Sequence, residues 1–220
     1  MVKGILIDVD GTLVLSNDAH ARSWVKTLSE FGYKVSLDMV RSYMGMGADQ
    51  MLPRLIPTLA KKTKEIEEIL SERKKLFLES YVSQLKPTPG ARALIKKIKD
   101  LKMKYIIASS SSSEELEVLL KVAKVDDLIE TVTSGSDVKE SKPEPDIVKA
   151  ALKKLDLNAR EAIMLGDTPY DIIAASKCSV DIIALRCGGF SDKALIGAVA
   201  IHDDPKDLLT NIQTSPIICK

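Results

Sequence analysis

The sequence predicts an α/β fold: a doubly wound parallel sheet with a helical domain inserted after the first strand. Three observations predict it. Short, β-branched apolar runs alternate with helical patterns along most of the 220 residues. The runs are mainly apolar rather than strictly alternating with polar residues, which marks strands buried on both faces. One long segment, 15–86, breaks the alternation and carries helical patterns alone.

The run "KGILIDV" (3–9) reads as the first buried strand, and 103–109, 127–134, 161–167 and 180–186 read the same way. Between them, 90–101 places Ala93, Leu94, Ile98 and Leu101 on one face of a helix; 114–125, 145–157 and the shorter 169–178 repeat the i, i+3, i+4 spacing. Such alternation builds a parallel sheet covered on both faces. Within the break, 20–32 reads as a helix stopped by Gly32, and 36–45 as a helix started by Ser36. The stretch 62–85 reads as a long amphipathic helix whose opposite charges at i, i+4 form a solvated face. The expected organisation is a core of 1–14 and 87–220 with an inserted helical domain of 15–86, hinged at 14–17 and 85–89.

Apolar residues make up 45% of the chain and charged residues 29%, an ordinary globular composition. With 32 basic and 31 acidic residues the net charge is +1, so no nucleic-acid or membrane partner is expected. No run reaches the roughly 18 apolar residues of a membrane span. Asp8 and Asp10 interrupt the apolar stretch near the N-terminus, which removes a signal-peptide pattern. Cys178, Cys187 and Cys219 are odd in number and lack C-x-x-C spacing, so neither a disulfide framework nor a zinc site is expected. A cytoplasmic protein, monomer or homodimer, is the expectation.

In a doubly wound sheet, ligands bind beyond the carboxyl ends of the strands. The first strand ends in Asp8-Val9-Asp10-Gly11-Thr12, the second in Ser109-Ser110 and the fourth in Gly166-Asp167, with Asp171 four residues on; Lys142 follows the third. This inventory suits phosphoryl transfer. Three acids brought together repel one another and need a cation, and hard oxygen ligands point to Mg²⁺. A hydroxyl and an ammonium bind phosphoryl oxygens, and a carboxylate can attack phosphorus. Plainer roles compete at some positions. Asp171 also fits a first-turn helix acid, Ser111 to Ser113 fit helix N-caps, and "HDDP" (202–205) fits a turn before the final helix. His20 and Trp24 fit a packing pair at i, i+4.

At these residues the chain resembles the haloacid dehalogenase (HAD) superfamily, in its phosphoglycolate phosphatase and β-phosphoglucomutase-like branch. "DVDGT" (8–12) resembles the first motif of that family, Ser109 closing a hydrophobic strand the second, Lys142 in "SKPEP" the third and "GDTPYD" (166–171) the fourth. The resemblance implies a Rossmann-like core with an α-helical cap. It implies Asp8 as nucleophile, Asp10 as general acid and then base, and Mg²⁺ held by Asp8, the Asp10 main-chain carbonyl and Asp167. It further implies Asp171 in a supporting acidic loop, and Ser109, Ser110 and Lys142 as phosphate-binding groups. Gly11 would keep the turn clear for the phosphate. A His and Trp like His20 and Trp24 occur in the β-phosphoglucomutase branch, and that resemblance offers a gating role for His20 beside the packing one.

Within the family, Asp10 argues against dehalogenases and phosphonatases, which replace it. Mutases typically carry a cap-loop Arg where this chain has Ala48, and Glu-Asp where it has Gly166-Asp167. "RCGGF" (186–190) resembles phosphoglycolate phosphatase-like members, whereas Leu15 departs from the Asp of many relatives. The reading favoured is a Mg²⁺-dependent phosphatase acting on a small phosphorylated metabolite through an aspartyl phosphate. A phosphomutase is the alternative, and a phospho-accepting signalling module the alternative of another class.

Overall fold

The computed structural model describes residues 1–219. Its strands are β1 (Gly4–Ile7), β2 (Lys104–Ala108), β3 (Val132–Thr133), β4 (Ala162–Gly166), β5 (Asp181–Leu185) and β6 (Ala200–His202). They form one sheet in the order β3-β2-β1-β4-β5-β6, with every pairing parallel. The helices are α1 (Asn17–Glu30), α2 (Leu37–Ser42), α3 (Ala48–Leu55), α4 (Thr63–Ser80), α5 (Ala91–Asp100), α6 (Ser113–Val122), α7 (Asp146–Leu155), α8 (Pro169–Lys177), α9 (Pro205–Thr210) and α10 (Pro216–Cys219).

The sheet is buried on both faces because its strands are apolar on both. Ile5 and Ile7 join one cluster with α5 and α6, while Leu6 between them joins the other with α7 and α8. β1 sits centrally, with Ile7 opposite Ile107 on one side and Leu165 on the other. Everything that follows β1 therefore emerges at the middle of the carboxyl edge. Residues 17–84 hold helices and no strand. Their own apolar cluster gathers Trp24, Leu28, Val40, Met51 and Ile69. The chain leaves and re-enters the sheet region at one place, where Val14 bridges Pro87.

Local chemistry sets several element ends. Ser36 starts α2 by accepting from the Met39 N–H at 3.1 Å, and α1 ends just before Gly32, as expected. A Thr168–Asp171 capping box starts α8. Four expectations need correction. The strand expected over 127–134 shrinks to Val132–Thr133, since Asp127 and Glu130 stand where a buried strand needs apolar residues. A short edge strand, β6, takes in His202, which was expected in a turn, and α10 follows the helix that Asp204 caps. The loop around Ala48 is the start of α3. Finally, α4 is not simply solvated along its charged face: Arg73 is buried in register with Ile69 and Phe77, at successive i+4 positions.

Candidate active site

Asp8 extends β1 by one residue, its N–H donating to the Leu165 carbonyl at 2.9 Å. The chain then turns, with the Leu13 and Val14 N–H groups donating back to the Val9 carbonyl. Asp8 and Asp10 thus do not share a side through strand periodicity; the turn aims them differently. Asp8 points toward Asp167 and Asp171, and ligand oxygens of these three buried carboxylates all lie within 4.8 Å of one another. Lys142, also buried, pairs with Asp8 at 2.5 Å and Asp171 at 2.8 Å. Asp167 is held by Thr12 Oγ1 at 3.1 Å and by the Asn17 amide at 2.8 Å. Gly11 has φ +78°, and a Cβ there would collide with the Asp167 carboxylate and the Asn17 amide. The close neighbour that demands glycine is thus Asp167, rather than the open space expected for a phosphate.

The electrostatics follow from crowding. Burial, then the charges of Asp171 and Asp10, push the Asp8 carboxyl up to about 7 despite the opposing Lys142. Burial and the neighbouring Asp8 and Asp171 raise Asp167 well above the usual carboxylate range, against hydrogen bonds from Asn17 and Thr12. Burial disfavours the charged Lys142, but Asp171 and Asp8 outweigh it and hold the ammonium above its ordinary value. Three buried carboxylates stand against one ammonium, which pairs with two of them, so keeping all three ionised calls for further positive charge. All its donors are hard oxygens. The residues present fit a divalent cation.

Asp10 occupies a separate network. Its Oδ1 accepts from Ser16 Oγ at 2.5 Å and from His20 Nε2 at 2.6 Å; its Oδ2 accepts from Ser111 Oγ at 2.6 Å. Burial would raise its carboxyl, but His20, Ser111 and Ser16 together hold it well below the usual range. His20 stacks on Phe77 with ring centroids 4.0 Å apart. Its Nδ1 faces the Arg73 guanidinium, which can only donate. Nδ1 therefore accepts and Nε2–H donates to Asp10. Arg73 also pairs with Glu115, donates to Ser23 Oγ at 3.2 Å and lies over the Trp24 ring, 5.0 Å from its centroid.

Ser109 is buried at the end of β2, and its Oγ accepts from the Ser111 N–H at 3.1 Å. Ser110 Oγ is buried without a hydrogen-bond partner in the protein. Both serines line a cavity of about 430 Å³ between the strand ends and the helices of 17–84, as do Asp8 and Asp10. Met44 to Ala48 line its far side. Sequence reasoning missed Asn17, Arg73 and Glu115. It took Ser111 for a helix cap, a role that Ser112 fills by accepting from the Glu115 N–H. His202, by contrast, bonds Asp207 at 3.0 Å and takes no part in the site.

A family profile described as haloacid dehalogenase-like hydrolase matches residues 5–185. The chain belongs to that family. It is 29% identical to a phosphoglycolate phosphatase of Aquifex aeolicus, over 79% of each chain. It is 25% identical to a phosphorylated carbohydrates phosphatase of Thermotoga maritima, over 94% of this chain and 97% of that one. Among solved structures, a hydrolase from Pseudomonas syringae superposes with a TM-score of 0.88 at 27% identity, over 97% of this chain and 99% of its own. The protein is an enzyme, a hydrolase of the phosphatase kind. No helix among the described residues is long and apolar enough to cross a membrane.

Proposed function

We propose that this protein hydrolyses a small-molecule phosphate monoester through an aspartyl phosphate on Asp8, with Mg²⁺ bound. The observation that carries the reading is the clustering of Asp8, Asp167 and Asp171 at the carboxyl edge, with Lys142 paired to Asp8 and Asp171, beside a cavity of about 430 Å³. Residues 15–86 serve as the cap that covers it.

Asp8 attacks phosphorus, forming one P–O bond as the bond to the leaving alcohol breaks. Lys142 keeps Asp8 oriented and offsets charge on the phosphoryl oxygens. Ser109 and Ser110 supply donors to those oxygens, and the unpartnered Ser110 hydroxyl is suited to this. Asp10 gives its proton to the leaving alcohol. It then takes one from the water that attacks the aspartyl phosphate, releasing inorganic phosphate and free Asp8. The three donors on Asp10 favour its carboxylate, the form that accepts that proton. The first step needs the protonated form, so one donor must turn away as substrate binds. Asp8, Asp167 and the Asp10 carbonyl would hold Mg²⁺, with Asp171 supporting them; the ion supplies charge neutralisation for phosphoryl transfer. The phosphomutase alternative is disfavoured by Ala48, because the cap edge of the cavity presents no cation there for a second phosphate.

Turnover of p-nitrophenyl phosphate with Mg²⁺, with EDTA and by Asp8→Asn tests the reading. Activity that needs Mg²⁺ and disappears in Asp8→Asn is expected. Activity indifferent to both would overturn it.

A further inference from the structure

The cavity lining has an unequal charge inventory. The cations lining it are Arg73 and Lys74, and each is already matched by a glutamate of α6. Arg73 pairs with Glu115, both side chains under a tenth exposed. Lys74 pairs with Glu114 at 2.7 Å near the rim. Arg73 is further committed to His20 and Ser23 and lies over Trp24. Nearby Arg41 is spent on Asp18 and the Gly188 carbonyl, and Lys142 on Asp8 and Asp171. One acid beyond these pairs lines the cavity without a metal to hold: Asp49, whose Oδ2 accepts from the Ser141 N–H at 3.0 Å. The rest of the lining offers hydroxyls, from Ser71, Ser112 and Ser136, and apolar surface from Trp24, Met44 and Leu70.

We infer that Glu115 and Asp49 make this site select phosphate esters of uncharged, hydroxylated alcohols, such as sugar and polyol monophosphates, and exclude substrates bearing a second anion. This rests on the phosphatase reading above and narrows it. A second carboxylate or phosphate on the leaving group would enter a lining with no unpaired cation and face the Asp49 carboxylate. Like charges set against each other at a binding site discriminate against the wrong partner. The hydroxyls of a sugar instead meet side chains that both donate and accept, and its C–H faces meet Trp24 and Leu70. Glu115 acts through Arg73: the pair keeps the guanidinium from turning toward a ligand anion, while Asp49 supplies the unmatched negative charge.

The test is kcat/KM with Mg²⁺ for glucose 6-phosphate, sorbitol 6-phosphate, 2-phosphoglycolate, pyrophosphate and fructose 1,6-bisphosphate. The neutral-alcohol esters should exceed the others by about tenfold or more. Asp49→Asn and Glu115→Gln should each narrow that ratio by raising activity on 2-phosphoglycolate. Asp49 is exposed and its variant keeps the test decisive should Glu115→Gln fail to fold. A wild-type preference for 2-phosphoglycolate or pyrophosphate overturns the inference and leaves the phosphatase reading standing. So does a ratio that Asp49→Asn leaves unchanged. An enzyme inert on every ester in the presence of Mg²⁺ overturns both.

Discussion

The Lys142 ammonium stands 2.5 Å from an Asp8 carboxylate oxygen, although 134 residues separate them in the chain. It also meets Asp171 at 2.8 Å, and all three side chains are buried. Removing the ammonium leaves two buried carboxylates without their counter-charge. Lys142→Met should therefore cost about 3–5 kcal/mol of stability, the usual penalty for breaking a buried pair. It should lower turnover by roughly 10²–10³, as loss of one electrostatic contributor does. Denaturant unfolding and p-nitrophenyl phosphate kinetics read the two effects separately.

The same crowding makes cation binding depend on pH. Asp8 is pushed up to about 7, and Asp167 is raised as well. A carboxyl with a folded value above its unfolded one binds its proton more tightly in the folded protein. Without a cation, stability should thus fall as pH rises from about 4 toward neutrality. A divalent cation must displace those protons, so its stabilising effect should grow with pH. The rise in Tm on adding Mg²⁺ should be larger near pH 8 than near pH 5.5. Equal shifts at both values would contradict this assignment of the cluster.

The sequence made the central sheet legible because β1, β2, β4 and β5 are short runs that are apolar apart from Lys104 and Asp181 at the starts of β2 and β5, the pattern that burial on both faces leaves. The edge strands were less legible. β3 keeps only two residues of the strand expected over 127–134, and β6, three half-buried residues, was missed for want of apolar sequence. Asp8, Ser109, Lys142 and Asp167 were legible as chemistry placed at strand ends. The chain Asp10–His20–Arg73–Glu115 was not. It joins the first turn, α1, α4 and α6 through buried polar contacts between residues up to 53 positions apart, and no local spacing encodes such a path. Arg73 in particular sits within a charge run that reads as solvated until its i−4 and i+4 neighbours, Ile69 and Phe77, prove to be buried.

His20 should act as a positioning residue for Asp10. Removing its N–H relieves part of what holds the Asp10 carboxyl low, so that carboxyl should rise toward its ordinary value. Because the base form of Asp10 is needed for the water step, the acid limb of the kcat profile should move to higher pH in His20→Ala. Turnover should fall about 10- to 100-fold from lost alignment. His20→Gln, which retains an N–H donor, should recover part of both effects. A pH profile identical to wild type would show that the hydrogen bond only packs the helix.

Cys187 lies beside the site, its thiol donating to the Gly11 carbonyl at 3.1 Å. Burial, with the nearby Asp167 and Asp204, pushes that thiol up to about 12. The thiolate is the reactive form, so little of it exists at about pH 8. Iodoacetamide should label exposed Cys219 long before Cys187, as peptide mass mapping would show. Equal labelling of the two in folded protein would contradict the half-buried placement of Cys187.

The central claim is that Asp8 carries the phosphoryl group. A rapid acid quench during turnover with Mg²⁺, followed by peptide mass spectrometry, tests it most directly. The account predicts a phosphoryl group on the peptide containing Asp8, and none in Asp8→Asn. Hydrolysis that continues in Asp8→Asn, or a phosphoryl group trapped on another residue, would contradict it.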